Sequence, residues 1–352
     1  MGLKVGIVGL PNVGKSTLFN ALTSGNAAAA NYPFCTVEPN VGKISVCDSR
    51  LEQLARIDKP LRVVKETIEI VDIAGLVRGA SAGEGLGNQF LANIREVDVI
   101  MHVLRCFKNK NIIHVAEHVD PLEDKDIVDI ELQLKDLESV NKRLEGLNKR
   151  LKSGDKEVVK AVEVLHTLQQ LLEQGNNIRD GIFDDEEKNI IKTFQLLTSK
   201  PVIYVANVDD NDDDIVHDLK NHISGDIIPL SVGVGEMIAR LTPDDATVFD
   251  NYVVAWNSRI MSLTKIIMDK LNMITFFTSG SDESRAWNII NGTKAPSAAA
   301  KIHTDFQKKF IKADVCEVGL YCGYRGNGEK VLWRTEGKDY IVHDGDVIVF
   351  KI

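Results

Sequence analysis

The run Gly9-Leu10-Pro11-Asn12-Val13-Gly14-Lys15-Ser16-Thr17 restricts this chain to very few folds. It follows a short apolar strand pattern, Lys4 to Leu10, and precedes a helical one, Thr17 to Leu22. A GxxxxGK[ST] loop between a strand and a helix is the pattern of a phosphate-binding P-loop. Its glycines let successive backbone N–H groups turn towards phosphate oxygens, and the helix N-terminus adds a favourable dipole. Asn12, Val13, Gly14, Lys15, Ser16 and Thr17 are therefore the candidate nucleotide-binding residues. Lys15 supplies a point charge between the β- and γ-phosphates, so it is also a catalytic candidate, and the Ser16 hydroxyl is a candidate Mg²⁺ ligand.

Further elements stand where a switch NTPase needs them. Asp72-Ile73-Ala74-Gly75 ends a strand pattern and fits DxxG, with Asp72 holding the metal through water and the Gly75 N–H meeting the γ-phosphate. Thr36, in the loop Tyr32-Pro33-Phe34-Cys35-Thr36, is placed to complete the Mg²⁺ shell. The next residue after DxxG is Leu76, which cannot orient an attacking water, so intrinsic hydrolysis is expected to be slow. The glycine-rich run Gly79 to Gly87 suits a switch that orders around the γ-phosphate. The base-reading candidate is Asn207-Val208-Asp209-Asp210, counted together with Ser231. Asp210 suits guanine, but Val208 stands where a guanine reader has lysine, so the residues alone leave the base open.

Strand patterns at Lys4–Leu10, Lys43–Cys47, Thr67–Ile73, Asp98–Leu104, Pro201–Ala206 and Asp226–Leu230 are short, rich in Val and Ile, and separated by helical stretches. They imply an α/β fold with a parallel sheet covered on both faces. Between them, Ile127, Ile130, Leu134, Leu137, Leu144 and Leu151 recur at 3-4 spacing, with Asn141 and Asn148 at two seam positions. Val158, Val162, Leu165 and Leu172 form a second series, with Gln169 on the same stripe. This predicts an inserted antiparallel helical coiled-coil hairpin whose first helix reaches roughly 40 Å. After Met273, strand patterns around an Ala-rich helix at Pro296–Lys301 suit a small β-grasp module. The expected boundaries are 1–124 with 197–272, 125–196, and 273–352.

The composition narrows the class further. The chain has 352 residues, 44% hydrophobic and 26% charged, which fits a globular protein of two or three domains. The longest apolar stretch, Val97 to Phe107, contains His102 and Arg105 and is too short to span a membrane, and no secretory signal pattern opens the sequence. Five cysteines without a CxxC spacing fit a reduced cytoplasm better than a disulfide framework or zinc site. A net charge of −9 argues against coating nucleic acid over the whole surface. Lys294, Lys301, Lys308, Lys309 and Lys312 nevertheless lie beside Trp287, Phe306 and Phe310, a mixture that can bind RNA.

With these residues in view, the chain resembles the YchF (Obg-like ATPase) family. The resemblance rests on the P-loop, on Asn31 to Asn40, on Asp72 to Ser81, and on Lys301 to Phe306 and Glu336 to Val342. It implies a G domain, an inserted hairpin and a C-terminal TGS domain. It also implies ATP preferred over GTP, and association with the ribosome's large subunit, with rRNA contact through the TGS domain or the helical arm. His114 takes the place of a histidine considered a substitute catalytic group, and Asn12 matches a residue that binds K⁺ in some related GTPases. The family usually ends its base-reading motif in Glu where this chain has Asp210, which keeps a guanine-specific GTPase open as an alternative. A third reading is a nucleotide-gated ribosome- or RNA-binding module in which hydrolysis is incidental.

Overall fold

The computed structural model describes residues 2–23, 40–73, 92–109, 118–151, 155–209 and 213–352. Thr36, Gly75, Leu76, His114 and Asp210 lie outside the described residues. By their contacts, the residues divide into two compact units, one of 1–44 with 69–259 and one of 45–68 with 260–352.

In the first unit the expected α/β sheet is present. Strands β1 (Leu3–Val8), β2 (Asn40–Ser45), β4 (Thr67–Asp72), β5 (Val99–Arg105), β6 (Val202–Asn207) and β7 (Ile227–Leu230) lie in the order β2-β4-β1-β5-β6-β7. β5 runs parallel to β1 and β6, and β6 parallel to β7. β5 and β6 are buried along their whole length, as strands covered on both faces must be.

The long insertion between β5 and β6 is helical. Helix α3 (Pro121–Asn148) has 28 residues, about 42 Å at 1.5 Å per residue. Its start is written in the sequence: the Asp120 side chain caps Leu122 N and Glu123 N, and Pro121 occupies the first turn. Helix α4 (Lys156–Glu173) begins on the Asp155 cap and packs Val162, Leu165, Leu168 and Leu172 against Val140 and Leu144. The seam polar residues find each other, Gln169 Nε2 donating to Asn141 Oδ1 at 2.9 Å. Helix α5 (Asp185–Phe194) starts with a full capping box of Asp184 and Glu187 and adds Ile191 and Phe194 to the same core.

Buried polar groups fasten the root of this insertion. Asp136 accepts from Leu197 N at 2.9 Å and from Thr198 N and Oγ1, each at 2.7 Å. Nearby, Asp129 pairs with Arg179 at 2.7 Å and with Lys125 at 3.0 Å. Tyr204 and His102, from β6 and β5, face the same cluster, their rings 5.7 Å apart.

His102 is 2% exposed, and burial pushes its imidazole down to about 4, more than the nearby Asp129 carboxylate lifts it. In the unfolded chain a histidine titrates near 6.5. The unfolded state therefore binds the extra proton between about pH 6.5 and 4, and stability falls as pH drops through that window. The loss reaches about 3 kcal/mol by pH 4. Urea denaturation at pH 7, 5.5 and 4 should show a drop that His102→Gln reduces. An equal drop in the variant would place the proton elsewhere.

The second unit holds a sheet in the order β11-β10-β12-β8-β9-β3, made of β3 (Arg62–Val64), β8 (Met273–Ser279), β9 (Glu283–Ile290), β10 (Lys312–Glu317), β11 (Arg334–Glu336) and β12 (Asp346–Lys351). β8 and β9 form an antiparallel pair. Helix α10 (Ala295–Ile302) packs Ala295, Ala298 and Ala299 onto Phe276, Trp287 and Phe310. Trp287 and Phe310 are 7% and 4% exposed, so these aromatics are core and offer no stacking face to RNA, contrary to one reading of the sequence. The neighbouring Lys301, Lys308, Lys309 and Lys312 are exposed. A further departure is α2 (Ser49–Asp58) together with β3, which belong to this unit and not to the one that contains their chain neighbours.

Candidate functional site

The site lies at the carboxyl ends of β1, β5, β6 and β7, where an open α/β sheet places its ligands. The loop after β1 leads into α1 (Lys15–Thr23). Gly9 has φ +149° and Gly14 φ +102°, and Asn12 takes a left-handed φ of 62°. A Cβ on Gly9 would lie 2.6 Å from the Val103 carbonyl oxygen, and one on Gly14 would collide with Asn207 Nδ2. These positions need glycine for conformation and for space.

Lys15 is 8% exposed and donates from Nζ to the Leu10 carbonyl at 2.8 Å, so its amine lies across the loop. Burial pushes its pKa down to about 8, only partly offset by Asp72. A buried cation whose charge burial disfavours is suited to meet phosphate. The Ser16 hydroxyl donates to Asp72 Oδ2 at 2.9 Å, which brings together two of the expected metal-site residues from distant segments. Hydroxyl and carboxylate oxygens are the donors that Mg²⁺ takes, and the pair fits that ion.

Asn207 has a bracing role. Its Nδ2 donates to the Val13 carbonyl at 2.9 Å and its Oδ1 accepts from Val232 N at 3.3 Å. It thus ties the P-loop to the end of β6 and to the start of α7 (Val232–Ile238). Beside it opens a cavity of about 520 Å³ lined by the expected Asn12, Gly14, Thr17, Asn207, Val208 and Ser231. Phe107, Asn109, Gly233 and Glu236 also line it and were not anticipated. Phe107 and Asn109 follow β5 directly, so the strand-end rule could have indicated them. Arg105, 1% exposed, shapes that loop: its guanidinium lies 4.5 Å from the Phe107 ring centre and donates to the Asn109 carbonyl at 3.2 Å. Glu236 sits one helical turn into α7, and no local pattern in the sequence marks it.

Gly14→Ala should combine strained backbone with loss of the Asn207 brace, a strain of about 1–3 kcal/mol. The expected outcome is nucleotide affinity weakened by about tenfold or more in a fluorescent-nucleotide titration. Affinity unchanged in the variant would show that the loop readily relaxes.

An α/β sheet with this loop, lysine and serine–aspartate pair defines a P-loop NTPase fold. Residues 4–149 match the family described as 50S ribosome-binding GTPase, and residues 273–352 match the YchF-GTPase C-terminal family, described as a protein of unknown function. The chain belongs to the YchF family. It is 46% identical over 362 residues to the ribosome-binding ATPase YchF of Haemophilus influenzae, across 100% of this chain and 99% of that protein. It is 42% identical to Obg-like ATPase 1 of Oryza sativa subsp. japonica, across 99% of this chain and 92% of that protein. The solved structure of the Schizosaccharomyces pombe YchF GTPase matches with a TM-score of 0.83 at 37% identity, over 99% of this chain and 98% of that one.

Proposed function

We propose that the chain is a Mg²⁺-dependent nucleoside triphosphate hydrolase that prefers ATP, turns over slowly on its own, and acts as a nucleotide switch on the ribosome. The observation that carries the chemistry is the convergence of buried Lys15 with the Ser16–Asp72 pair at 2.9 Å. In this reading Lys15 leaves the Leu10 carbonyl for the β- and γ-phosphates, and the loop amides around Gly14 hold the same oxygens. Ser16, Thr36 and Asp72 would hold Mg²⁺, which when bound neutralises developing charge on the phosphate oxygens. Gly75 and His114 are assigned to the γ-phosphate and the attacking water. A K⁺ site at Asn12 and a cytoplasmic location belong to the same reading.

ATP preference is supported by Val208, which lines the base cavity without the charge and reach of lysine. Ribosome association is carried over from the names of the relatives, and the large subunit from the family description that matches residues 4–149. Contact with rRNA is read from the exposed Lys301, Lys308, Lys309 and Lys312. The 273–352 segment is read as a TGS domain, and 125–196 as the arm. The deciding experiment is a side-by-side titration of ATP and GTP with Mg²⁺. Tighter ATP supports this reading. Tighter GTP would mean that Asp210 reads guanine and that the chain is a GTPase. Ribosome pelleting with and without nucleotide tests the switch: recruitment that ignores nucleotide would instead favour a binding module with incidental hydrolysis.

A further inference from the structure

Residues 45–68 leave the first unit and return to it, and in between they are part of the second. They do so between β2 and β4, two neighbours in the sheet of the first unit. Three kinds of interaction hold them in the second unit. Leu51 and Leu54, both fully buried, share a core cluster with Phe277, Val347 and Tyr321. β3 pairs in parallel with β9, Val63 against Ser284. The third is polar: the Asp58 side chain, 1% exposed, accepts from Ser279 Oγ at 2.5 Å, from the Tyr321 hydroxyl at 2.8 Å and from Arg325 Nε at 3.1 Å. At the other end of α2, Arg50 bridges Asp48 at 2.7 Å and Asp344 at 2.6 Å.

A carboxylate this buried is tolerated only because its oxygens are satisfied, so the anchor is specified in position and not a loose contact. Just before β4, Glu66 Oε2 accepts from Asn288 N at 3.2 Å, which holds the chain to the second unit. Six residues later, β4 ends on Asp72, the partner of Ser16. That strand is six residues long, about 20 Å.

We infer that residues 45–68 are a connector through which the nucleotide site and the C-terminal unit sense each other. The inference rests on the nucleotide-binding reading above. Engagement of Ser16 and Asp72 resets β4, β4 carries the reset into the anchored segment, and the C-terminal unit changes its exchange and binding behaviour. Linkage makes the effect reciprocal: whatever grips the C-terminal unit changes nucleotide affinity by the same factor.

Hydrogen exchange on the full chain, with Mg²⁺ and a non-hydrolysable ATP analogue or with neither, reads the coupling. Arg325→Ala weakens the anchor from its half-exposed side without emptying a core. Lys294→Ala breaks the exposed Lys294–Asp339 pair in the same unit and serves as the control. The expected result is slower exchange, by about threefold or more, in α2, β9 and helix α12 (Val318–Gly326) when the wild type and the control bind nucleotide. In Arg325→Ala that response is lost and nucleotide affinity shifts about fivefold. Nucleotide binding without any exchange change in these elements overturns the connector while leaving the site intact. So does an Arg325→Ala variant with the wild-type response and affinity. Failure of the wild type to bind nucleotide at all overturns both readings together.

Discussion

Replacing Lys15 with alanine is expected to lower single-turnover triphosphate hydrolysis by about 10²–10³-fold while leaving the fold intact. The amine is buried, its pKa is driven down to about 8 by that burial, and it donates to the Leu10 carbonyl at 2.8 Å. Folding therefore gains little from this charge, and the variant should melt within about 1 kcal/mol of the wild type. What is lost is the point charge that developing negative charge on the phosphates needs. Lys15→Arg should not restore the rate, because a planar fork does not reach where a single ammonium does. Hydrolysis within about threefold of wild type in the alanine variant would sink the assignment of Lys15 to the phosphates.

The second large effect is on stability. Asp129→Ala should cost about 3–5 kcal/mol, the range for breaking a buried ion pair from one side. Burial opposes the Asp129 charge, yet Arg179 at 2.7 Å and Lys125 at 3.0 Å outweigh it and hold the carboxyl below its usual range. Without Asp129, the Arg179 and Lys125 side chains, 12% and 20% exposed, are left with like charge at the root of the helical insertion. Replacing Asp129 and Arg179 together with Leu and Met should recover most of the loss, since apolar packing of similar volume often matches a buried pair. Urea denaturation of the single and double variants measures both values. A single variant within about 1 kcal/mol of wild type would mean that water enters the cluster and screens it.

Much of the site was legible because its signals are local. The P-loop is contiguous, its glycines announce the two positions with φ +149° and +102°, and the serine and aspartate fall in familiar motifs. The first-unit strands and the two insertion helices were legible for the same reason. Runs of Val and Ile, 3-4 apolar spacing, and the caps Asp120, Asp155 and Asp184 each act within one turn or one strand. Phe310 misled because Lys308, Lys309 and Lys312 surround it in sequence, and Trp287 because Arg285 and Lys294 lie in the same stretch, whereas burial depends on which side of the sheet and helix each residue faces.

By itself, then, the sequence determined the P-loop, the alternation of strands and helices, and the long capped hairpin, since hydrogen bonding and periodicity act over a few residues. Tertiary structure alone decided that Asn207 braces the P-loop across 194 positions, that Glu236 lines the cavity beside it, and that Asp58 is anchored 263 positions away on Tyr321. It also decided that residues 45–68 belong with the C-terminal unit. Such pairings are chosen when distant segments satisfy each other's buried polar atoms and apolar faces, and no local pattern records which partner will do so.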